Sequence, residues 1–212
     1  MYVIELYKII EGGENSKVEF KRKFSTPEKI AKEMSAFANS KGGVIIFGVD
    51  DSKEIIGVES EKGEIELITT ASKFYSEPEI QFTYEVVFIK GVDVVVVNVP
   101  ESKTKPHKIV SEQNGKNPKY FIRQGEKSVL ASRETVGILR NSNNNKPFKL
   151  NFGEIEKSLF RYLDENEKIT LKGFKRLVNI SERRASRILV NLVRAEVIRH
   201  HNNGYEEFFT LP

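Results

Sequence analysis

The sequence predicts an α+β protein in two parts: a mixed-sheet domain, then a small helical domain that ends in a β-hairpin. Three observations carry this. Over residues 1–140, short apolar or alternating runs take turns with stretches of helical period. Over residues 148–212, three helical stretches precede two short strands. Between them, residues 141–147 read NSNNNKP, polar and closed by proline, the composition of a linker.

In the first domain, residues 1–7 suit either a short helix or a strand. Residues 17–24 alternate. Val18 and Phe20 lie on one side, with Lys17, Glu19, Lys21 and Lys23 on the other, which predicts a half-buried strand. Ser25, Thr26, Pro27 and Glu28 then make a helix start, with a hydroxyl cap, a proline in the first turn and an acid beside it. Ile30, Met34, Phe37 and Ala38 recur at helical spacing, and Gly42-Gly43 offers a positive-φ exit. Residues 44–49, VIIFGV, are almost continuously apolar, as in a central strand covered on both faces. Asp50-Asp51-Ser52-Lys53 reads as a turn, with residues 54–58 as the returning arm of a hairpin.

A second helix is expected over residues 63–74, where Ile65, Ile68 and Ala71 repeat. Residues 82–88 and 92–99 are strands joined by Lys90-Gly91. Residues 102–106 form a lysine-rich loop running to His107, a candidate phosphate contact. A strand over 120–123 and a closing helix over 132–139 complete the domain.

In the second domain, helices are expected over residues 152–163, 171–178 and 182–195, with Ser181 capping the third. Residues 198–201 and 207–211 form a hairpin across Asn202-Asn203-Gly204. Three helices, a tight turn between the second and third, and a hairpin describe a winged helix-turn-helix.

Composition narrows the function. Of the 212 residues, 39% are hydrophobic and 30% charged, values of a folded globular protein. The chain has no cysteine, which excludes disulfides and thiolate metal sites and fits a cytoplasmic location. No stretch is apolar enough for a signal peptide or a membrane span. Residues 146–212 hold 13 Lys and Arg against 9 Asp and Glu, whereas the rest of the chain is balanced at 21 of each. The whole positive excess therefore lies in the C-terminal third, which points to an anionic partner there.

The third helix of that domain separates its faces. Ala185, Ile188, Leu189, Leu192 and Val193 form an apolar stripe, and Arg183, Arg184, Arg187, Asn191 and Arg194 lie opposite. Arginine forks match guanine edges and phosphates, and asparagine matches adenine. With Ser181 at the cap and Arg199, His200, His201 and Asn203 in the wing, this predicts a reader of duplex DNA. The strand at residues 17–24 raises a different chemistry. Glu19 and Lys21 share a face, and carboxylates with a nearby lysine can hold a divalent ion against a phosphodiester. An ordinary solvated strand face gives the same pattern.

Glu14 with Glu19-Phe20-Lys21, then SAFANSKGG over residues 35–43, Gly48-Val49-Asp50-Asp51 and Ile56-Gly57-Val58 together resemble the Schlafen AlbA-2 family of nucleic-acid-binding domains. The likeness continues through YFIRQG over residues 120–125 and ASRE over residues 131–134. It implies an α+β fold and work on nucleic acid. Relatives with a helix-turn-helix are described as transcriptional regulators, and some animal Schlafens are metal-dependent endoribonucleases. On the endoribonuclease alternative, Glu14, Glu19 and Asp51 match the carboxylates that would hold Mg²⁺ or Mn²⁺, with Lys21 on the phosphate. A neutral first domain with one lobe weighs against that alternative. The favoured expectation is a cytoplasmic, homodimeric regulator that needs no cofactor to bind duplex DNA.

Overall fold

The computed structural model describes residues 3–110, 118–142, 152–203 and 205–212. Their contacts divide the chain into two compact units, Met1–Ala131 and Ser132–Pro212. The proposed linker, from residue 143 onward, lies outside the described residues.

The first unit is built on a four-stranded sheet in the order β1-β2-β5-β4: β1 (Val18–Lys21), β2 (Gly43–Phe47), β5 (Val92–Val99) and β4 (Thr83–Ile89). β1 and β2 run parallel and the other neighbours antiparallel, so the sheet is mixed. The valine-rich β5 is central because both its faces are covered. Val95, Val97 and Val99 join the core under helices α2 (Pro27–Asn39) and α3 (Glu61–Phe74). Val94 and Val96 join Leu6 and Ile10 of α1 (Val3–Gly12) on the other face. The N-terminal segment is thus a helix, placed by an apolar stripe too weak to separate it from a strand in the sequence.

α2 starts as its sequence predicts: Thr26 Oγ1 accepts from Lys29 N at 3.3 Å, with Pro27 in the first turn. Gly42 ends it at φ +69°, where an added Cβ would stand 2.8 Å from Val99 O. Residues 54–58 do not form the expected strand. Only a single bridge, Val49 to Ile55, follows the Asp50 turn, and the segment instead folds back so that Gly57 packs on Gly48. The β4–β5 hairpin forms as expected, with Lys90 and Gly91 both at positive φ.

A second four-stranded sheet, invisible in the sequence except for one strand, has the order β3-β6-β7-β8. It comprises β3 (Ser76–Glu77), β6 (Lys108–Ile109), β7 (Lys119–Gln124) and β8 (Lys127–Leu130). Its link to α2 is a side chain. Buried Asn39 donates to His107 O at 3.0 Å and Phe121 O at 2.9 Å, and accepts from His107 N at 2.7 Å. His107 is 1% exposed rather than a surface phosphate contact. Its Nδ1 donates to Pro78 O at 2.7 Å, which leaves Nε2 to accept from Ser102 Oγ at 2.7 Å. Burial pushes its pKa down, in keeping with a neutral ring.

In the second unit, α5 (Glu154–Asn166), α6 (Leu171–Leu177) and α7 (Glu182–Arg194) surround one core with the sheet β10-β11-β9. The hairpin β10 (Arg199–Asn202) and β11 (Glu207–Thr210) agrees with its sequence signal, and the two-residue β9 (Lys168–Ile169) adds a third strand. The helix expected to close the first domain, α4 (Arg133–Ser142), belongs to this unit and packs on α7. Gly137 lets it approach: a Cβ there would stand 3.3 Å from Val190 Cγ2. That contact explains why Val190 is buried although it lies off the apolar stripe.

Replacing Asn39 by Ala strands one buried N–H and two carbonyls. We expect a loss of roughly 3 kcal/mol in folding stability, read by urea denaturation; a change near zero would mean that water replaces the amide fully.

Candidate functional site

Two places gather the residues singled out by the sequence. The first is the face of β1 toward α2. Parity sends Val18 and Phe20 to the α1 side and therefore Glu19 and Lys21 to the other. That face is covered rather than solvated: Glu19 is 7% exposed. What covers it is Arg123, delivered by β7. Its side chain is 1% exposed, and Nη1 lies 2.8 Å from Glu19 Oε2 and 3.3 Å from Glu33 Oε2 of α2. Nη1 also donates to Ser128 Oγ at 3.2 Å, and Nη2 to Asn15 O at 2.8 Å and Glu126 O at 2.9 Å. The guanidinium lies over the Phe37 ring, 4.6 Å from its centroid, and its buried Nε has no hydrogen-bond partner. Lys21 Nζ pairs with the other oxygen of Glu19, and Ser128 Oγ donates to Glu33. Two cations thus meet two carboxylates.

Glu14 and Asp51 stand near this set. Glu14 Oε1 accepts from Phe20 N at 2.7 Å. Burial pushes the Glu14 carboxyl above its ordinary range; the Phe20 amide opposes this, and the Glu19 and Asp51 charges add to it. Asp51 is exposed in the turn. Its neighbour Asp50 does the structural work there, accepting from Ser52 Oγ at 2.6 Å and from Ser52 N and Glu54 N at 2.9 Å. The Ser52 hydroxyl, chiefly, holds Asp50 below the usual carboxylate range. Glu14, Glu19, Lys21 and Asp51 therefore lie near one another, but not as a chelate. Among the described residues no three His, Asp or Glu side chains are close enough to hold a metal ion. Glu19, one of the three expected ligands, has both oxygens engaged by cations. This donor set does not fit Mg²⁺ or Mn²⁺.

The second place is α7. Ser181 Oγ accepts from Arg184 N at 3.3 Å and caps the helix. Ala185, Leu189, Val190 and Leu192 are buried, whereas Arg183, Arg184 and Arg187 are exposed with no ion pair among the described residues. Asn191 is partly buried, and Arg194 is partly buried and engaged. The C-terminal hairpin is less free than its sequence suggests. Arg199 is exposed, but His201 stacks on Phe208 at 5.0 Å and bonds Thr210 Oγ1 at 3.0 Å. His200 Nε2 lies 2.5 Å from Glu207 Oε1, which also accepts from Ser132 and Thr135 at the start of α4. Burial opposes the Glu207 charge, but these bonds outweigh it and hold the carboxyl below its usual range. Asn203 closes its own turn, accepting from Tyr205 N and Glu206 N.

The model of the family described as Schlafen, AlbA_2 matches residues 14–132. The chain belongs to the Schlafen AlbA_2 family. An uncharacterized ATP-binding protein of Ureaplasma parvum serovar 3 is 31% identical over 125 residues, half of this chain. The aligned stretch spans 35% of that curated relative. Among solved structures, the N-terminal domain of an ATP-dependent DNA helicase RecG-related protein from Nitrosomonas europaea is 19% identical. It aligns with a TM-score of 0.43 over 50% of this chain and 80% of that one. The DIP2311 protein of Corynebacterium diphtheriae is 17% identical, with a TM-score of 0.46 over 66% of this chain and 33% of that one.

The Schlafen AlbA_2 blocks in this chain have a structural meaning. Residues 35–43 carry Asn39, which holds the second sheet, and Ser40, whose Oγ accepts from Arg123 N at 2.9 Å. Residues 120–125 carry Arg123 itself. The blocks meet in one buried network. Arg123, Glu33, Asn39 and Ser128 were the residues that sequence reasoning missed. The available signal was Arg123, an arginine inside an otherwise apolar strand run.

The raised pKa of Glu14 gives a pH-dependent outcome. A carboxyl raised on folding favours the native state below its ordinary value of 4.5, and that contribution is lost as pH rises through the folded value. Glu14→Gln keeps an acceptor for Phe20 N–H without the charge. It should therefore be more stable than wild type at pH 7, with the difference vanishing below pH 4.5, in melts across pH. A variant less stable at pH 7 would mean that the charge is used there.

Proposed function

We propose that this Schlafen AlbA_2 protein binds nucleic acid, with its second unit acting as a winged helix-turn-helix that reads duplex DNA in a cytoplasmic transcriptional regulator. One observation carries the reading. Arg183, Arg184 and Arg187 project from the first two turns of α7 as exposed, unpaired guanidiniums while the opposite face of the helix is buried. The N-terminal part of a recognition helix is the part that meets base edges, and arginine is suited to both guanine and phosphate. The turn from α6 into α7 is tight, with Asn179 at φ +49°, as the motif requires.

The charge distribution supports the same division of labour. The first unit has its central acid–base set internally neutralised. The second unit carries the basic excess. Asn191, Arg194 and Arg199 border the same helix and hairpin and would add contacts. His201, tied to Thr210 and Phe208, would act through the shape of the wing. Binding of this kind needs no cofactor. We assign no metal-dependent cleavage to Glu14, Glu19, Lys21 and Asp51, because Glu19 is already compensated by Arg123 and Lys21.

Arg183→Ala with Arg187→Ala tests this by fluorescence anisotropy on duplex DNA over a salt series. Both positions are exposed, so folding should be unaffected. Affinity should fall by about tenfold or more, and the slope of log K against log salt should flatten by about 1.8 if each arginine meets one phosphate. Unchanged affinity and slope would remove α7 as the reader.

A further inference from the structure

β4 is an edge of its sheet, and among the described residues nothing pairs with its outer side. Soluble proteins blunt such edges with lysine, proline, a bulge or short length. β4 has none of these. It is seven residues long, reads TYEVVFI, and keeps an unbroken register with β5 from Thr83 to Ile89. Its only charge is Glu85. Tyr84, Val86 and Phe88 alternate onto one face and stand 50%, 40% and 68% exposed. Three large apolar side chains in a row on an open edge form an association surface.

We propose that β4 pairs antiparallel with β4 of a second copy of this chain, about a two-fold axis through Val86. The sheet then continues across both molecules in the order β1-β2-β5-β4, followed by the same strands reversed. The exposed face argues for a second copy rather than another strand. It reads aromatic, β-branched, aromatic about Val86, so it is its own complement.

The register follows from charge and overlap. A two-fold axis normal to the sheet must pass through a residue, because opposed side chains share a face. An axis at Val86 sets Thr83 against the partner's Ile89, Tyr84 against the partner's Phe88 and Glu85 against the partner's Val87, pairing all seven residues. An axis at Glu85 would oppose two carboxylates. An axis at Val87 would set Tyr84 against Lys90 in the turn and shorten the pairing. The assembly would present two copies of α7, but it concerns the first unit alone and stands or falls independently of DNA reading.

Because the chain has no cysteine, a single introduced thiol reads the register directly. In the 212-residue chain, Val86→Cys sets two sulfurs against each other across the axis, with Cα atoms about 5 Å apart and within disulfide reach. Thr83→Cys sets them roughly 20 Å apart. Mild oxidation should therefore link the Val86→Cys chains into dimers and leave Thr83→Cys unlinked. In sedimentation, wild type should be a dimer. Phe88→Lys, with an unchanged melting temperature, should raise the dissociation constant by about tenfold or more. A wild type that is monomeric at about 100 µM overturns the proposal. So does a dimer that Phe88→Lys leaves intact, and weakening without the Val86 cross-link overturns the register.

Discussion

A buried guanidinium organises the first unit. Arg123 has five N–H donors and a charge that cannot be removed at ordinary pH, so its burial is tolerable only if the surroundings answer both. They answer the charge and both terminal nitrogens, though not Nε, from four directions. β1 supplies Glu19, α2 supplies Glu33 and the Phe37 ring, the loop before β1 supplies the Asn15 carbonyl, and the hairpin of β7 and β8 supplies Ser128 and the Glu126 carbonyl. Every one of these contacts crosses an element boundary. The main sheet, the helix above it and the second sheet are therefore fixed together by one side chain. Removing Arg123 would leave buried Glu19 with Lys21 alone, and breaking a buried pair in proteins costs about 3–5 kcal/mol.

That constraint bears on what the pairing of Glu19 and Lys21 can do. On a solvated strand face the pair would be available to a metal and a phosphate. Under Arg123 the same carboxylate is held by two cations, and its role is to anchor an arginine. On the reading proposed above, contact with a polyanion falls to the second unit. There α7 presents its arginines outward, while Glu207 ties the hairpin to the start of α4 through His200, Ser132 and Thr135. A compensated charge thus braces each unit.

Local signals read well from the sequence and long-range ones poorly. The Thr26 and Ser181 caps, the Lys90-Gly91 hairpin, the buried β2 and β5 and the two faces of α7 depend on neighbours within a few residues, and all were legible. The two-residue β3, β6 and β9 have no period to detect. The expected arm at residues 54–58 failed because Gly57 is drawn against Gly48 rather than into a ladder. Helix α4 was assigned to the wrong domain because its partner, Val190, lies far along the chain. The burial of Glu19 could not be read from β1, whose polar alternation is that of an exposed face. Its cause is Arg123, 104 residues away.

A double-mutant cycle tests that burial most directly. Glu19→Gln, Arg123→Met and the pair would be compared with wild type by urea denaturation, with and without Mn²⁺. Each single change should be strongly destabilising, the two should couple by about 2–3 kcal/mol, and Mn²⁺ should alter nothing. A coupling near zero would contradict the account, as would a stabilisation by Mn²⁺ that Glu19→Gln abolishes. The second result would make Glu19 a metal ligand.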